Sequence, residues 1–307
     1  MAATEIRRVW ADPRLAWTVT TRGNPAPTAR PNRRFGTCGL CGLMGQLTKT
    51  HVPARCAGNR GRVRRFSVMS DSDHVARNSR KDIGGLHFYG LCGSCNGVIQ
   101  NRWESAYCSF ARQLWPLATG ARVHLPRRIT MPEVDIAPGA IARSVLVGCF
   151  ALESNLRNLY PEVARALIDD ADAIELPAPM DLYLAVTRGP SARATGSIAG
   201  FHLFGPEVDG RKVGIMTMAQ IYFPPLAWQL ADTPTSARLR IEGWHRVTEW
   251  LSLPPRKSLP LRQFVTDLPL VVDPRQTARG LSDWVEFHGD ETTFVVEGEN
   301  ALRSSWE

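Results

Sequence analysis

Two cysteine pairs of identical spacing, Cys38 and Cys41 in TCGLCG and Cys92 and Cys95 in LCGSCN, are the side chains of this sequence best suited to chemistry. Four thiolates fill the tetrahedral shell of Zn²⁺ and leave no position for water, so the pattern predicts a structural rather than a catalytic zinc. Fifty residues separate the two pairs, against roughly 15–20 in a simple zinc ribbon. The interval must therefore hold more than a hairpin. It contains His51 in LTKTHVPARCAGN, and the second pair runs directly into Asn96, with Gln100 four residues later, one helical turn on and on the same face. An imidazole titrates near neutrality and can move a proton, while amide oxygens are hard donors that suit Mg²⁺. A zinc clip joining the strand of His51 to a helix that begins at Asn96 would bring these groups together.

The elements that must position them can be read from hydrophobic periodicity. LTKTHVP alternates as a short strand and LHFYGLC reads as a second. From Asn96 onward, Ile99, Trp103, Tyr107, Phe110 and Leu114 recur at spacings of 4, 4, 3 and 4 and predict a helix with one buried face. Between the strands lies a polar insertion at about 58–83 with seven Arg or Lys, expected as an exposed loop. Cys56, Cys108 and Cys149 have no partner by spacing and are expected as small buried thiols. His87 is expected in the core or beside the zinc.

Residues 1–36 are rich in Pro and Arg, lack periodicity and read as a basic arm. Residues 37–117 form the cysteine module, and a second unit spans 118–307. That unit opens with two consecutive helices, GAIARSVLVGCFALESNLRNL and PEVARALIDDA, with Pro161 starting the second. Strand-like stretches follow: MDLYLAVTR, SIAGFHLFG, VGIMTMAQIYF, ARLRIEGW, FVTDLPLVV and TTFVVEG. The expected fold class is α+β, with Trp228, Trp244, Trp250 and Trp284 in the core.

Charge divides the chain in two. Residues 1–112 hold 18 Arg or Lys against 6 Asp or Glu, whereas 113–307 hold 19 against 23. A basic excess confined to the cysteine-bearing part is what a phosphate-backbone binder needs, because neutralised phosphates release counterions. No apolar run approaches the roughly 20 residues of a membrane span, and the N-terminus lacks the continuous apolar stretch of a secretory signal. A cytoplasmic location is expected.

Cys38-x₂-Cys41, His51 after nine intervening residues with Pro53 close behind, and Cys92-x₂-Cys95-Asn96 resemble the zinc-clipped HNH endonucleases, whose core is the ββα-metal finger. The resemblance covers about residues 37–106 only. It implies an N-terminal HNH-like module and hydrolysis of phosphodiester bonds in DNA, expected to be double-stranded. His51 would be the general base, and Asn96, with Gln100 or Asn101, would help hold Mg²⁺ or Mn²⁺. Arg55, Arg60, Arg62, Arg64, Arg65 and Arg102 would contact phosphates. Two positions depart from the family pattern: Thr50 stands where Asp or Glu usually precedes the histidine, and glycines stand where the middle Asn usually braces the loop before the second strand. Asp71, Asp73 and Asp82 are the acidic residues at hand. Asp73-His74 forms a competing register, 22 residues before Asn96, and a mixed site of His51 with Asp73 or His74 is a third arrangement. Arginine outnumbers lysine by 33 to 4, which points to a GC-rich bacterial genome; a role in defence against foreign DNA would fit the resemblance, and by analogy with modular nucleases 118–307 is expected to choose targets, sense a signal or form a homo-oligomer. The alternative is a zinc-dependent DNA-binding or regulatory protein whose nuclease site has decayed.

Overall fold

A computed structural model of the 307-residue chain describes residues 34–60, 62–68, 76–119, 127–188, 192–201, 207–208, 211–212, 214–231, 240, 243–272 and 292–296. In chain order the first part comprises β1 (Phe35–Thr37), β2 (Met44–His51), a 3-10 turn (Arg55–Ala57), β3 (Arg62–Val68), β4 (Ala76–Ile83) and β5 (His87–Cys92). A wide helical turn (Cys95–Gln100) leads into α1 (Asn101–Thr119). Next come β6 (Arg128–Thr130), β7 (Asp135–Ile136), α2 (Pro138–Leu152), α3 (Leu156–Leu159) and α4 (Pro161–Asp169). The remaining strands are β8 (Asp181–Arg188), β9 (Ala192–Phe201), β10 (Glu207–Val208), β11 (Arg211–Lys212), β12 (Gly214–Phe223), β13 (Leu226–Ala231), β14 (His245–Arg246), β15 (Leu259–Pro260), β16 (Asp267–Val272) and β17 (Thr292–Val296).

The cysteine-bearing part is a small antiparallel sheet, β1-β2-β5, followed by α1. Both strands expected from alternation form. So does the helix, and Trp103, Tyr107, Phe110 and Leu114 are all buried; the side chains of Ile99 and Gln100 lie outside the described residues. A bulge between Thr48 and Thr50 shifts the register of β2 on β5, so that His51 stands opposite His87.

The insertion differs from its expected form. β3 and β4 are an antiparallel hairpin, and β3 also pairs with β17, on the margin of a sheet ordered β4-β3-β17-β9-β12-β13-β8-β16-β6, with β14 beside β8. A ladder of backbone hydrogen bonds is indifferent to side-chain charge, and RVRRFSV keeps Val63, Phe66 and Val68 among its arginines. Without a clean alternation such a strand has no sequence signature.

Between the small sheet and the large one lies α2, apolar over nearly its whole circumference, with 14 of its 15 residues buried. Its C-terminal end abuts the cysteine module: a Cβ on Gly39 would lie 2.0 Å from Phe150 O, and one on Gly90 would lie 1.8 Å from Ala151 O. Only glycine permits that approach. One apolar cluster runs from Cys38 through α1 and α2 to Leu268. Trp228 and Trp250 lie in it and Trp244 is buried on the other face of the sheet, whereas Trp284 falls outside the described residues. The buried Arg143 fastens α2 from within, donating Nη1 to Gly139 O and Leu253 O and Nη2 to Ala171 O and Asp172 O.

The expectation for Cys56 and Cys108 is corrected. They form a disulfide between the 3-10 turn and α1, with Cα atoms 5.4 Å apart. Spacing along the chain could not pair them, because the contact exists only once the turn has folded onto the helix. Cys149 is a buried free thiol, as expected.

Candidate functional site

The sulfurs of Cys38, Cys41, Cys92 and Cys95 all lie within 4.8 Å of one another. A tetrahedral zinc with Zn–S bonds near 2.3 Å requires S···S edges of about 3.8 Å, and Cys41 Sγ lies 3.8 Å from Cys92 Sγ. The four cysteines form a metal-binding cluster whose donors and spacing fit Zn²⁺. The first pair sits on a tight backbone turn, in which Gly42 N donates to Cys38 O at 2.9 Å with φ +75°, and Gly39 N donates to Gly90 O at 2.8 Å, tying that turn to β5; the second pair spans the end of β5 and the start of the helical turn. The Cys95 thiol donates to Cys38 and holds it well below its ordinary value against the opposing effect of burial, with help from the Cys92 N–H. Cys95 is correspondingly raised, first by the same bond and then by burial. Thiols bind zinc as thiolates, so uptake of the metal by this cluster would release protons.

β2 leads from this cluster to the histidines. His51 is half-buried and donates Nε2–H to Gly84 O at 2.9 Å, which fixes the tautomer with the lone pair on Nδ1. Its pKa falls from 6.5 to about 4, chiefly because burial disfavours the charged ring and further because His87, Arg55 and Lys49 are nearby, while the Gly84 bond opposes the shift. His87, itself buried, has its ring 5.7 Å from that of His51 and donates Nδ1–H to Gly85 O at 3.1 Å. Both carbonyls are aimed by Gly84 and Gly85, at φ +93° and +91°, a conformation closed in practice to other residues.

Asn59 braces this loop. It is 1% exposed, donates Nδ2 to Pro53 O at 2.6 Å and Leu86 O at 2.8 Å, and accepts the Leu86 N–H at 2.6 Å. The stretch after His51 is thereby tied to the stretch before β5. Asn59 stands before the insertion rather than directly before the second strand, and its one local sign in the sequence is the Gly58-Asn59 pair.

Asn96 opens the helix with Nδ2 donated to Thr48 Oγ1 and Lys49 O, each at 2.9 Å, so it is anchored on the strand of His51. His51 lies two residues beyond Lys49, about 7 Å along the strand. Thr50 is fully buried and donates Oγ1 to Thr48 O at 3.4 Å; its hydroxyl faces the interior. Asp71, Asp73 and His74 lie outside the described residues, as does the Gln100 side chain. Among the described residues the four cysteines are the one group of three or more His, Cys, Asp or Glu that comes together. Asn96 alone does not make a Mg²⁺ or Mn²⁺ site.

Arg55 and Arg60 are exposed beside the histidine loop, with Arg60 Nε donating to Arg55 O at 3.3 Å. Arg62, Arg64 and Arg65 lie on β3, where the register sets Arg64 opposite Lys81 and Arg65 opposite Arg80. Arg102 is exposed and donates Nη1 to Ile168 O at 3.0 Å, next to the C-terminal end of α4. No helix among the described residues is long and apolar enough to cross a membrane. No family model, curated protein or solved structure matches the chain.

Proposed function

We propose that the protein is a metal-dependent HNH-type endonuclease that hydrolyses phosphodiester bonds in DNA. The observation that carries this reading is the pinning of His51: with Nε2–H given to Gly84 O and the ring held neutral, Nδ1 is a base at physiological pH. His51 takes the proton of the attacking water. Asn59 and the Gly84-Gly85 turn keep the ring oriented, and the zinc cluster fixes β2 against the helix that begins with Asn96. A hard dication, if held by Asn96 together with Asp73, His74 or Gln100, would supply charge neutralisation at the phosphate. Arg55 and Arg60, with the basic β3–β4 hairpin, form a cationic flank for the DNA backbone. A role in defence against foreign DNA fits such an enzyme.

The test is nicking of supercoiled plasmid by zinc-loaded protein with Mg²⁺, Mn²⁺ or EDTA, beside His51→Ala and His74→Ala. Metal-dependent nicking lost in His51→Ala alone supports the reading, whereas loss in His74→Ala alone moves the site into the insertion. One observation favours the second reading, a DNA-binding or regulatory protein with a decayed site: Thr50 is buried and turned inward, so the position before His51 contributes no metal ligand. DNA binding without cleavage across metals and targets would select it.

A further inference from the structure

The described residues expose five large apolar side chains, Phe35, Leu43, Met44, Ile83 and Val98, and all five belong to the cysteine-bearing part. Single exposed apolar residues are ordinary on a protein surface, whereas several gathered at one place and rimmed by polar groups mark a contact site. Phe35, Leu43 and Met44, at 63%, 70% and 64% exposure, are gathered in that way. In the pairing of β1 with β2, Phe35 stands opposite Gln46 and Met44 opposite Thr37. Phe35 and Met44 are therefore diagonal neighbours on one face of the ladder, close enough for long side chains to meet. Leu43 precedes Met44 on the turn that carries Cys38 and Cys41.

This corner has a fixed base. Cys38 N donates to Leu43 O at 3.0 Å, Leu40 of the same turn is buried in the main core, and Arg157 donates Nε to Leu40 O at 2.9 Å. A backbone held in this way loses little further freedom when the side chains it carries enter a partner.

Charge selects that partner. Residues 34–60 hold Arg34, Lys49, Arg55 and Arg60 and no Asp or Glu. Arg34 and Lys49 are exposed on the strands of the corner, and the Arg157 guanidinium lies against Gly42, where a Cβ would come within 2.6 Å of it. A second copy of the chain in a two-fold contact would set these cations against their own equivalents. Residues 1–33, with six Arg against Glu5 and Asp12, would also bring like charge. A DNA duplex meets both demands, since it carries phosphates outside and stacked apolar faces within. Phe, Leu and Met are among the side chains with which proteins pry a base step apart.

The strand β2 relates this corner to the histidine site. Met44, Gln46 and Thr48 alternate onto one face, and Thr48 Oγ1 accepts Asn96 Nδ2. Thr48 lies four residues beyond Met44, about 13 Å along the strand, a span of about four base-pair steps. We propose that Phe35, Leu43 and Met44 form a wedge that enters a DNA duplex and unstacks a base step, about four base pairs from the phosphate that Asn96 faces. The placement rests on the endonuclease reading above, whereas the DNA partner is common to that reading and its non-cleaving alternative.

The test uses the full zinc-loaded chain without added Mg²⁺ or Mn²⁺, so that binding is read apart from cleavage. Its probe is a duplex with 2-aminopurine in place of adenine at TA steps, which unstack readily. The bound parent should raise the 2-aminopurine fluorescence. A variant combining Phe35→Thr, Leu43→Ser and Met44→Thr keeps strand propensity on β1 and β2. It should lose that rise and bind about tenfold more weakly, with the slope of log K on log salt unchanged, whereas Lys49→Ala should reduce the slope by about one. Its melting temperature should equal that of the parent. Binding and unstacking undiminished in the triple variant overturn the proposal, as does a parent that binds no DNA at low salt. A melting temperature lowered by several degrees would show the three side chains covered in the free protein, and a parent that sediments as a dimer where the variant does not would show a second copy there; either overturns it too. DNA that is bound and unstacked but never cut once metal is added upholds the wedge and removes the endonuclease reading, whereas nicking by a triple variant that binds and unstacks as the parent does removes the wedge alone.

Discussion

At His51 one hydrogen bond decides which nitrogen can be basic, and burial decides when. Because Nε2–H is given to Gly84 O, and because the ring pKa is lowered to about 4, His51 stays neutral through the physiological range. In the role of general base proposed for it, His51 should sustain hydrolysis from pH 7 down to about pH 5, with decline only toward pH 4; an acid limb centred near 6.5 in the pH–rate profile would remove it from that role. His51→Ala should lower the rate by about 10²–10⁴-fold, the usual share of a general base, with zinc content unchanged. The same shift makes a stability statement. The folded pKa lies below the unfolded value of 6.5, so between about 4 and 6.5 the unfolded chain binds more protons. Stability therefore rises with pH across that window and is complete above it, and urea titrations at pH 4.5 and 7 should show a smaller difference in His51→Phe than in the parent. Asn59 is the second decisive residue. Asn59→Ala strands the Leu86 N–H and the Pro53 carbonyl in the interior, at about 1–3 kcal/mol for each unsatisfied group. A melting temperature lowered by several degrees is expected, and one unchanged would mean that water replaces the amide.

Among the elements, the end of α2 has the least room for change. Gly90 lets β5 lie directly on the Ala151 carbonyl, so Gly90→Ala must push strand and helix apart. It should destabilise by about 1–3 kcal/mol, the range for overpacking, and loosen the zinc cluster that β5 carries, read as faster zinc release to a chelator. Cys92→Ser should abolish stoichiometric zinc, measured as metal per chain. What the sequence disclosed follows from how each element is specified. β2, β5 and the buried stripe of α1 were legible because each has a periodic apolar face, and the four cysteines because thiols at CxxC spacing have few other uses. The β3–β4 hairpin was not legible, since RVRRFSV lacks a clean alternation and the other neighbour of β3, β17, lies more than 200 residues away in sequence. Asn59 and the Cys56–Cys108 disulfide were hidden for the same reason: their partners, Leu86 and α1, become neighbours only in the fold.

Across the whole molecule, the basic cysteine-bearing part and the more acidic remainder differ in charge but share an interior. Tyr107 lies 6.3 Å from Trp228 and Phe110 lies 6.2 Å from Trp250, ring to ring, so the buried face of α1 packs on residues more than 100 positions later. Arg157 donates to Leu40 O at 2.9 Å beneath the first cysteine turn, and Arg102 donates to Ile168 O. Aromatic side chains bury about 150–250 Å² each, and at about 25 cal/mol per Å² the loss of their partners outweighs what a small three-stranded sheet and one helix can retain. A fragment of residues 34–119 should therefore still take up zinc through its four thiolates, yet lack a cooperative melt and bind an apolar dye, while the full chain unfolds with its zinc-bearing and sheet-bearing parts in one transition. Calorimetry of both, with and without zinc, measures this directly. A sharp, zinc-dependent transition in the fragment would show that the cysteine-bearing part folds alone, and that the contacts of α2 only dock it.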